Sequence, residues 1–258
     1  MMLSIIVPTL TGRVPELPNG EGVEVVAVKG IRPVSEARYQ GLLQSTGEYV
    51  WFVDDDDEVD CSLRPQDLKL DEKPDIIRFK TSCGWMCIGD KIYRREVVKA
   101  AFDEIGVLPF KHCEDGLMYL AALRHARTVI DIDRVIYHYV QQPKSALHQF
   151  NPKVVDERVQ FVDLALKLGK GLAIPGLTLE RAQLSKDAVV YVVTQLCRWP
   201  VSVRQIWRVC YELVRSSLVA NGRDDIKKDA YASKMLFAAR HPIFIFIYRL
   251  LRRTKCWR

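Results

Sequence analysis

The chain has 258 residues, which suits one large domain or two small ones and leaves ample length for a hydrophobic core. Apolar residues make up 48% and charged residues 27%, as in an ordinary soluble globular protein, and no run approaches the ~20 apolar residues that a membrane span needs. The seven cysteines are irregularly spaced without a C-x-x-C pair, so we expect reduced, cytosolic thiols rather than a structural metal site.

The net charge of +6 is unevenly distributed along the chain. Residues 1–150 hold 18 Lys and Arg against 23 Asp and Glu, whereas residues 151–258 hold 20 against 9. The acidic front and the basic back indicate two different roles. We therefore predict two domains, 1–150 and 151–258.

Three near-continuous apolar runs open the chain and are typical of buried strands: 3–9, 23–28 and 49–53. A helix is predicted over 34–46, with Ser35 as its N-cap. Strands separated by a helix or a loop in this way favour a parallel α/β sheet.

The run VDDDD (53–57) follows the third strand directly. Ligands bind at the carboxyl edge of open α/β sheets, so the four aspartates lie at a predicted ligand crevice. Carboxylates there can ligate Mg²⁺ or Mn²⁺; the alternative is a solvated acidic loop. An EF-hand is excluded because Val59 and Pro65 stand where Gly and Glu are required. A haloacid-dehalogenase motif is disfavoured because Glu58 stands where that motif has Thr or Val.

Further along, the pattern predicts a strand at 75–79, helices at 89–101 and 113–126, and strands within 128–140. From about residue 153 the apolar spacing becomes helical. The predicted segments are 153–169, 178–198, 202–220 and 226–240.

Five segments resemble family 2 glycosyltransferases, in that family's order. PVSEARYQGLLQSTGEYVWFVDDDDEVD (33–60) is similar to its G-x-S-x-A-R-N-x-G-L-x-x-A-x-G-E-Y-I-x-F-L-D-S-D-D, and LSIIVPT to its first strand. IGDKIYRREVV (88–98), CEDGLMYLAAL (113–123) and VIYHYVQQPKSAL (135–147) resemble its W-N-K-L-Y-K-R-E-L-L, G-E-D-x-x-F-x-x-x-L and L-Y-Y-Y-R-x-R-x-x-S-I segments.

The resemblance implies a GT-A-like, Rossmann-like, mostly parallel α/β domain, followed by a helical C-terminal region. It also implies transfer of a sugar, with inversion, from a nucleotide-diphosphate sugar (a UDP-sugar is favoured). By position, Asp54 would face the ribose and Asp56 would ligate the metal, Mn²⁺ or Mg²⁺. The implied donor-binding residues are Pro8, Thr9, Arg38, Asp54, Asp55 and Lys91.

Asp115 would be the general base that removes the proton of the acceptor hydroxyl. We expect burial and the neighbouring charge of Glu114 to raise the pKa of Asp115 towards a useful range. The alternative is that both acids only stabilise a helix start. His148 is a candidate metal ligand, with a surface histidine as the alternative. Lys91 is a phosphate contact or a solvated helix lysine, and Trp51 and Trp85 are expected to pack in the core.

The sequence departs from the family pattern after the second strand. The V-D-D-G-S-x-D segment is absent, so either a strand-helix unit is missing or Lys29 replaces the first aspartate. This departure keeps a second hypothesis open: a degenerate relative that binds a nucleotide or a glycan without turnover. A third is an assembly partner.

The basic half ends in HPIFIFIYRLLRRTKCWR, where cationic and aromatic residues suit an anionic membrane surface. A core helix or an oligomer interface is the alternative, and no nucleic-acid-binding signature occurs. We therefore expect a cytoplasmic, membrane-associated enzyme of polysaccharide biosynthesis. It would be peripheral on the inner face of the cytoplasmic membrane and act on a glycan or lipid-linked glycan acceptor.

Overall fold

The computed structural model describes residues 2–80, 86–110, 112–140, 149–172 and 179–253. The chain divides into two compact units, Met1–Gln142 and Pro143–Arg258. The first contains the sheet, and the second is built of helices in its described residues.

The first unit is a mixed α/β structure whose main sheet has six strands. Its elements are β1 (Leu3–Thr9), β2 (Val23–Lys29), α1 (Val34–Gln44), β3 (Tyr49–Phe52), β4 (Glu58–Val59), β5 (Ile76–Phe79), β6 (Lys91–Arg94), α2 (Arg95–Ile105), α3 (Glu114–His125), β7 (Val129–Ile132) and β8 (Tyr137–His138). The sheet order is β2-β1-β3-β6-β5-β7, and β4 pairs with β8 separately. Only β6 runs antiparallel to its neighbours in that sheet, which confirms the mostly parallel α/β class.

β1 and β3 are buried at every position, because β1 lies between β2 and β3. β2 is one of the two edge strands, and Val25 keeps 45% of its surface exposed. The prediction that 23–28 is a buried strand is therefore wrong about its burial. An apolar run does not reveal which strand lacks a neighbour.

α1 packs against β1 and β2. Gly41 permits the close approach, since a Cβ there would lie 2.2 Å from Cγ2 of Ile6. Ser35 is not the N-cap as predicted: the helix follows Pro33, and the Ser35 hydroxyl donates to the carbonyl oxygen of Leu108. Ser35 thereby joins α1 to the segment before α3.

The predicted helix over 89–101 is wrong in its first half, because Lys91–Arg94 forms strand β6 and the helix begins at Arg95. The alternation in KIYR is too short to separate a strand from a first helical turn. Trp51 is fully buried, and its indole Nε1 donates to the carbonyl oxygen of Gly89 at 2.6 Å. This confirms that Trp51 is a packing residue, whereas Trp85 lies outside the described residues.

The second unit confirms a helical C-terminal region. Its helices are α4 (Val154–Gly169), α5 (Arg181–Arg198), α6 (Val203–Arg215), α7 (Ser217–Asn221), α8 (Arg223–Lys228), α9 (Ala230–Arg240) and α10 (Ile243–Arg253). α5 contacts α4, α7 and α9, and its apolar face is the centre of the helical core. Within the described residues, no helix combines the length and the apolar character needed to cross a membrane.

Candidate active site

The candidate site lies at the carboxyl ends of β1 and β3. These strands are parallel neighbours, so Thr9 and the acid run 54–57 leave the sheet at the same edge. The Val53 N–H still donates to the Ile6 carbonyl oxygen at 3.0 Å, and the chain then turns. The aspartates thus lie beyond the end of a central strand, where the sequence placed them.

Arg38 on α1 connects carboxylates from two other elements. Its Nη2 donates to Oδ1 of Asp54 at 2.9 Å, and its Nη1 donates to Oδ1 of Asp115. The same Nη1 lies 3.5 Å from Oε1 of Glu114. The Arg38 side chain is only 3% exposed, so one buried cation holds together α1, the end of β3 and the start of α3.

Burial alone would lower the pKa of Arg38, but the charges of Asp115, Asp54 and Glu114 outweigh it and raise that pKa well above its usual value. Arg38 therefore stays charged at any pH of interest. Its Nε is buried and has no hydrogen-bond partner among the described residues. The sequence identified all four residues as site candidates, but it did not show that they contact one another.

Burial is the largest influence on Asp115 and raises its pKa, and the charge of Asp54 adds to the rise. Arg38 and a hydrogen bond from Glu114 oppose it. The pKa of Glu114 is also raised, by burial first and by Asp115 second. The expectation that the Glu114 charge raises the pKa of Asp115 is therefore wrong. Burial favours the protonated form of Glu114, and the carboxylate whose charge raises the pKa of Asp115 is Asp54.

α3 begins in an unusual backbone conformation. Cys113, its N-cap residue, has φ of 76°, in the left-handed region. For a residue with a Cβ this costs roughly 1–2 kcal/mol, whereas glycine adopts it freely. The resembling family motif, G-E-D, has glycine at this position. The strain immediately precedes the two candidate catalytic carboxylates.

The four aspartates have different environments. Asp54, Asp55 and Asp56 are partly exposed, whereas Asp57 is 4% exposed. Burial raises the pKa of Asp56, and the charges of Asp54 and Asp55 raise it further. A cation beside these carboxylates would relieve that repulsion. A fully solvated acidic loop, by contrast, would not need a cation.

Asp57 has a structural role that the sequence did not reveal. It accepts hydrogen bonds from the Tyr137 hydroxyl and from the Val140 N–H, the latter at 2.8 Å. Tyr137 in turn packs on Gly89 so closely that a Cβ there would lie 2.2 Å from the ring. No spacing rule separates Asp57 from its neighbours, because its partners are some 80 residues away.

Pro8 and Thr9 form the buried end of β1. The Thr9 Oγ1 accepts from the Gly12 N–H at 3.0 Å, and its carbonyl oxygen accepts from the Gly30 N–H at 2.8 Å. Thr9 pairs in register with Lys29, the last residue of β2. Since α1 begins at Val34, no strand-helix unit lies between β2 and α1, and Lys29 occupies the strand end beside Thr9.

Lys91 is not the solvated helix lysine considered above. It is 3% exposed on β6, ion-paired with the buried Asp90. Its Nζ also donates to the Cys87 carbonyl oxygen at 2.6 Å and lies 4.5 Å from the centre of the Tyr119 ring. All of these contacts are internal to the first unit. The contact of Lys91 with a phosphate stays a prediction.

Among the described residues, no group of three or more His, Cys, Asp or Glu side chains is arranged to hold a metal ion. His148, the other predicted metal ligand, lies outside the described residues. The partly exposed carboxylate of Asp56 nevertheless fits a hard cation that also binds a diphosphate. Mg²⁺ usually takes only one or two carboxylates beside substrate phosphates.

No protein-family model matches the sequence, and no curated protein matches it. The fold resembles solved structures of TarS, a glycosyltransferase of S. aureus. A crystal structure of TarS residues 1–349 with UDP-GlcNAc has a TM-score of 0.54 and 17% identity, over 98% of this chain and 91% of that one. The same fragment with UDP has a TM-score of 0.45 and 17% identity, over 94% and 92%. The first of these likenesses shows that the chain has a glycosyltransferase fold.

Proposed function

We propose that the chain is an inverting glycosyltransferase that moves a sugar from a nucleotide-diphosphate sugar to an acceptor hydroxyl of a glycan. The observation that carries this proposal is the convergence of Arg38, Asp54 and Asp115 at the carboxyl edge of the sheet in a glycosyltransferase fold. A UDP-sugar is the favoured donor, because the TarS fragment of that fold was solved with UDP-GlcNAc.

In this proposal Asp115 is the general base. Its pKa is raised by burial, which makes the carboxylate a better proton acceptor than an exposed aspartate. Arg38 holds the carboxylate in place and keeps it from turning away. A positioned base of this kind typically contributes about 10²–10⁴-fold to the rate.

Asp54 and Arg38 would orient the donor, with Asp54 facing the ribose and Pro8, Thr9 and Asp55 lining the nucleotide side. Asp56, with His148 as a second candidate ligand, would hold Mn²⁺ or Mg²⁺, which when bound would neutralise charge on the departing diphosphate. Lys29, at the end of β2, is the group nearest in sequence to the missing acidic segment. We propose that it contacts the nucleotide in place of that segment.

A second candidate is nucleotide or glycan binding without turnover. Two observations favour it. No strand-helix unit lies between β2 and α1, and the candidate base Asp115 is already engaged in an ion pair with Arg38. The two candidates share the binding site and differ only in the chemical step. They are therefore separable by assays of binding and of transfer.

The test begins with thermal unfolding in the presence of UDP, GDP, CDP or dTDP, each with and without Mn²⁺. A ligand at 100 times its dissociation constant stabilises the folded state by about 2.7 kcal/mol, which is easily measured. We expect a shift with one nucleotide that depends on Mn²⁺. If none of the four nucleotides produces a shift, sugar transfer and nucleotide binding are both contradicted, and glycan binding is the candidate that is left.

Asp→Asn variants then separate the roles. Asp56→Asn is expected to lose the Mn²⁺-dependent part of the shift, whereas Asp115→Asn is expected to bind the nucleotide but to lose transfer by at least about 10²-fold. Asp103→Asn on α2 is the matched control, since that carboxylate is exposed and pairs with Lys99 on the same helix. Unchanged transfer in Asp115→Asn would refute its role as base.

We further propose that the reaction takes place on the cytoplasmic side of a membrane, with a lipid-linked glycan as acceptor. The irregular spacing of the seven cysteines, without a C-x-x-C pair, supports an intracellular location. Transfer to a lipid-linked acceptor in vesicles, compared with the same glycan free in solution, tests the acceptor class.

A further inference from the structure

The helical unit contains a cavity that the proposed reaction does not use. It has a volume of about 370 Å³ and lies between α8 and α9, next to Val219 of α7. This volume is within the usual range of about 300–1,000 Å³ for ligand sites. Its apolar lining includes Val219, Ile226, Leu236 and Phe237.

Three cationic side chains line the same cavity: Arg223, Lys227 and Arg240. All three are exposed, and none forms an ion pair or a hydrogen bond within the described part of the chain. The nearby cation Lys228, by contrast, lies 4.0 Å from Asp225. Arginine and lysine are the usual ligands of phosphate groups in proteins.

An exposed apolar ridge continues from the cavity along α9 and α10. Phe237, which lines the cavity, stacks on Phe244 with the ring centres 5.4 Å apart. On α10, Ile243, Phe244, Ile247 and Tyr248 are 42–49% exposed, while Ile245 is buried. These four side chains share one face of the helix, which stays about half exposed among the residues that the structure describes.

We propose that the cavity binds the phosphate headgroup of an anionic membrane lipid and that the ridge lies in the membrane interface. A cationic cavity joined to an apolar, aromatic helix face matches a molecule with a phosphate at one end and hydrocarbon at the other. A soluble phosphate would leave the ridge facing water. The proposal does not depend on the transfer reaction.

The test is sedimentation of the full chain with vesicles of phosphatidylcholine alone, or of roughly 70% phosphatidylcholine and 30% phosphatidylglycerol. We expect binding to the anionic vesicles and much weaker binding to the neutral ones. Arg223→Gln, Lys227→Gln and Arg240→Gln are each expected to lower the affinity about fivefold, and the triple variant about a hundredfold. Phe244→Ser is expected to weaken the binding that remains at high salt.

The matched control is Lys234→Gln, on α9 outside the cavity, which should change the affinity less than any cavity substitution. Equal binding to both vesicle types, no binding to either, or an unaffected triple variant would overturn the proposal. Stabilisation by glycerol phosphate, combined with no preference for anionic vesicles, would assign the cavity to a soluble anion and would also overturn the proposal. The nucleotide-dependent thermal shift of the triple variant should equal that of the wild type, which shows that the first unit is intact.

Discussion

Replacement of Arg38 by glutamine is expected to cause a large, pH-dependent loss of stability. The side chain is 3% exposed and faces the carboxylates of Asp54, Glu114 and Asp115. Removal of one partner from a buried ion pair typically costs about 3–5 kcal/mol, because the remaining charge stays buried without compensation. Against a total stability of roughly 5–15 kcal/mol, this is a substantial fraction.

The loss should be smaller in acid. Burial raises the pKa values of Glu114 and Asp115 in the folded state, and the loss of Arg38, whose charge lowers both, raises them further above their unfolded values. The folded state then binds more protons, and the stability of the variant falls as the pH rises from 5 to 8. Since one pKa unit corresponds to about 1.36 kcal/mol, the cost at pH 5 should be lower than at pH 8 by roughly that amount or more.

Urea unfolding at pH 5 and pH 8 measures both quantities. Arg78→Gln is the matched control. Arg78 makes a two-bond contact with Asp131, whose side chain is 69% exposed, and its loss should cost less than about 1 kcal/mol. The reasoning is refuted if Arg38→Gln costs less than about 1 kcal/mol at pH 8, or the same at both pH values.

Two further substitutions test the backbone and the acid run. Cys113→Gly should stabilise the protein by about 1 kcal/mol in urea unfolding, because glycine adopts the left-handed conformation without strain. Burial raises the pKa of Asp57 to about 6, against hydrogen bonds from Tyr137 and Val140, with repulsion from Asp54 adding to the rise. The folded wild type therefore binds extra protons between about pH 4 and 6, and its stability falls as the pH rises through this window. Asp57→Asn removes this titrating charge. The free energy of unfolding of the variant, relative to that of the wild type, should therefore rise by about 2–3 kcal/mol from pH 4 to pH 8.

For each of these two predictions, one result would contradict the reasoning. Cys113→Ala keeps a Cβ and should show no gain, so an equal gain in both variants would mean that the thiol rather than the backbone matters. If Asp57→Asn and the wild type keep a constant stability difference from pH 4 to pH 8, Asp57 has an ordinary pKa in the folded state.

The local sequence pattern was enough to predict an element where the burial of the segment and the period of its apolar residues indicate the same structure. β1 and β3 were predicted from continuous apolar runs, and α3 from its acidic first turn. It failed where one short stretch suits two structures, as in KIYR, which forms the strand β6 rather than a helical turn. The prediction that Ser35 is an N-cap failed for a related reason. Its hydroxyl donates to the carbonyl oxygen of Leu108, and such a distant partner cannot be identified from local sequence.

The sequence by itself determined the fold class and the edge of the sheet at which the carboxylates lie, because both follow from the order of strands and from what comes directly after each. Only the tertiary structure decided how those carboxylates are used. Arg38 binds Asp54 and also Asp115, which is 77 residues further along the chain, whereas Asp57 turns away to Tyr137, 80 residues from it. Ionisation depends on which charges and how much solvent surround a group, and folding alone brings those charges together.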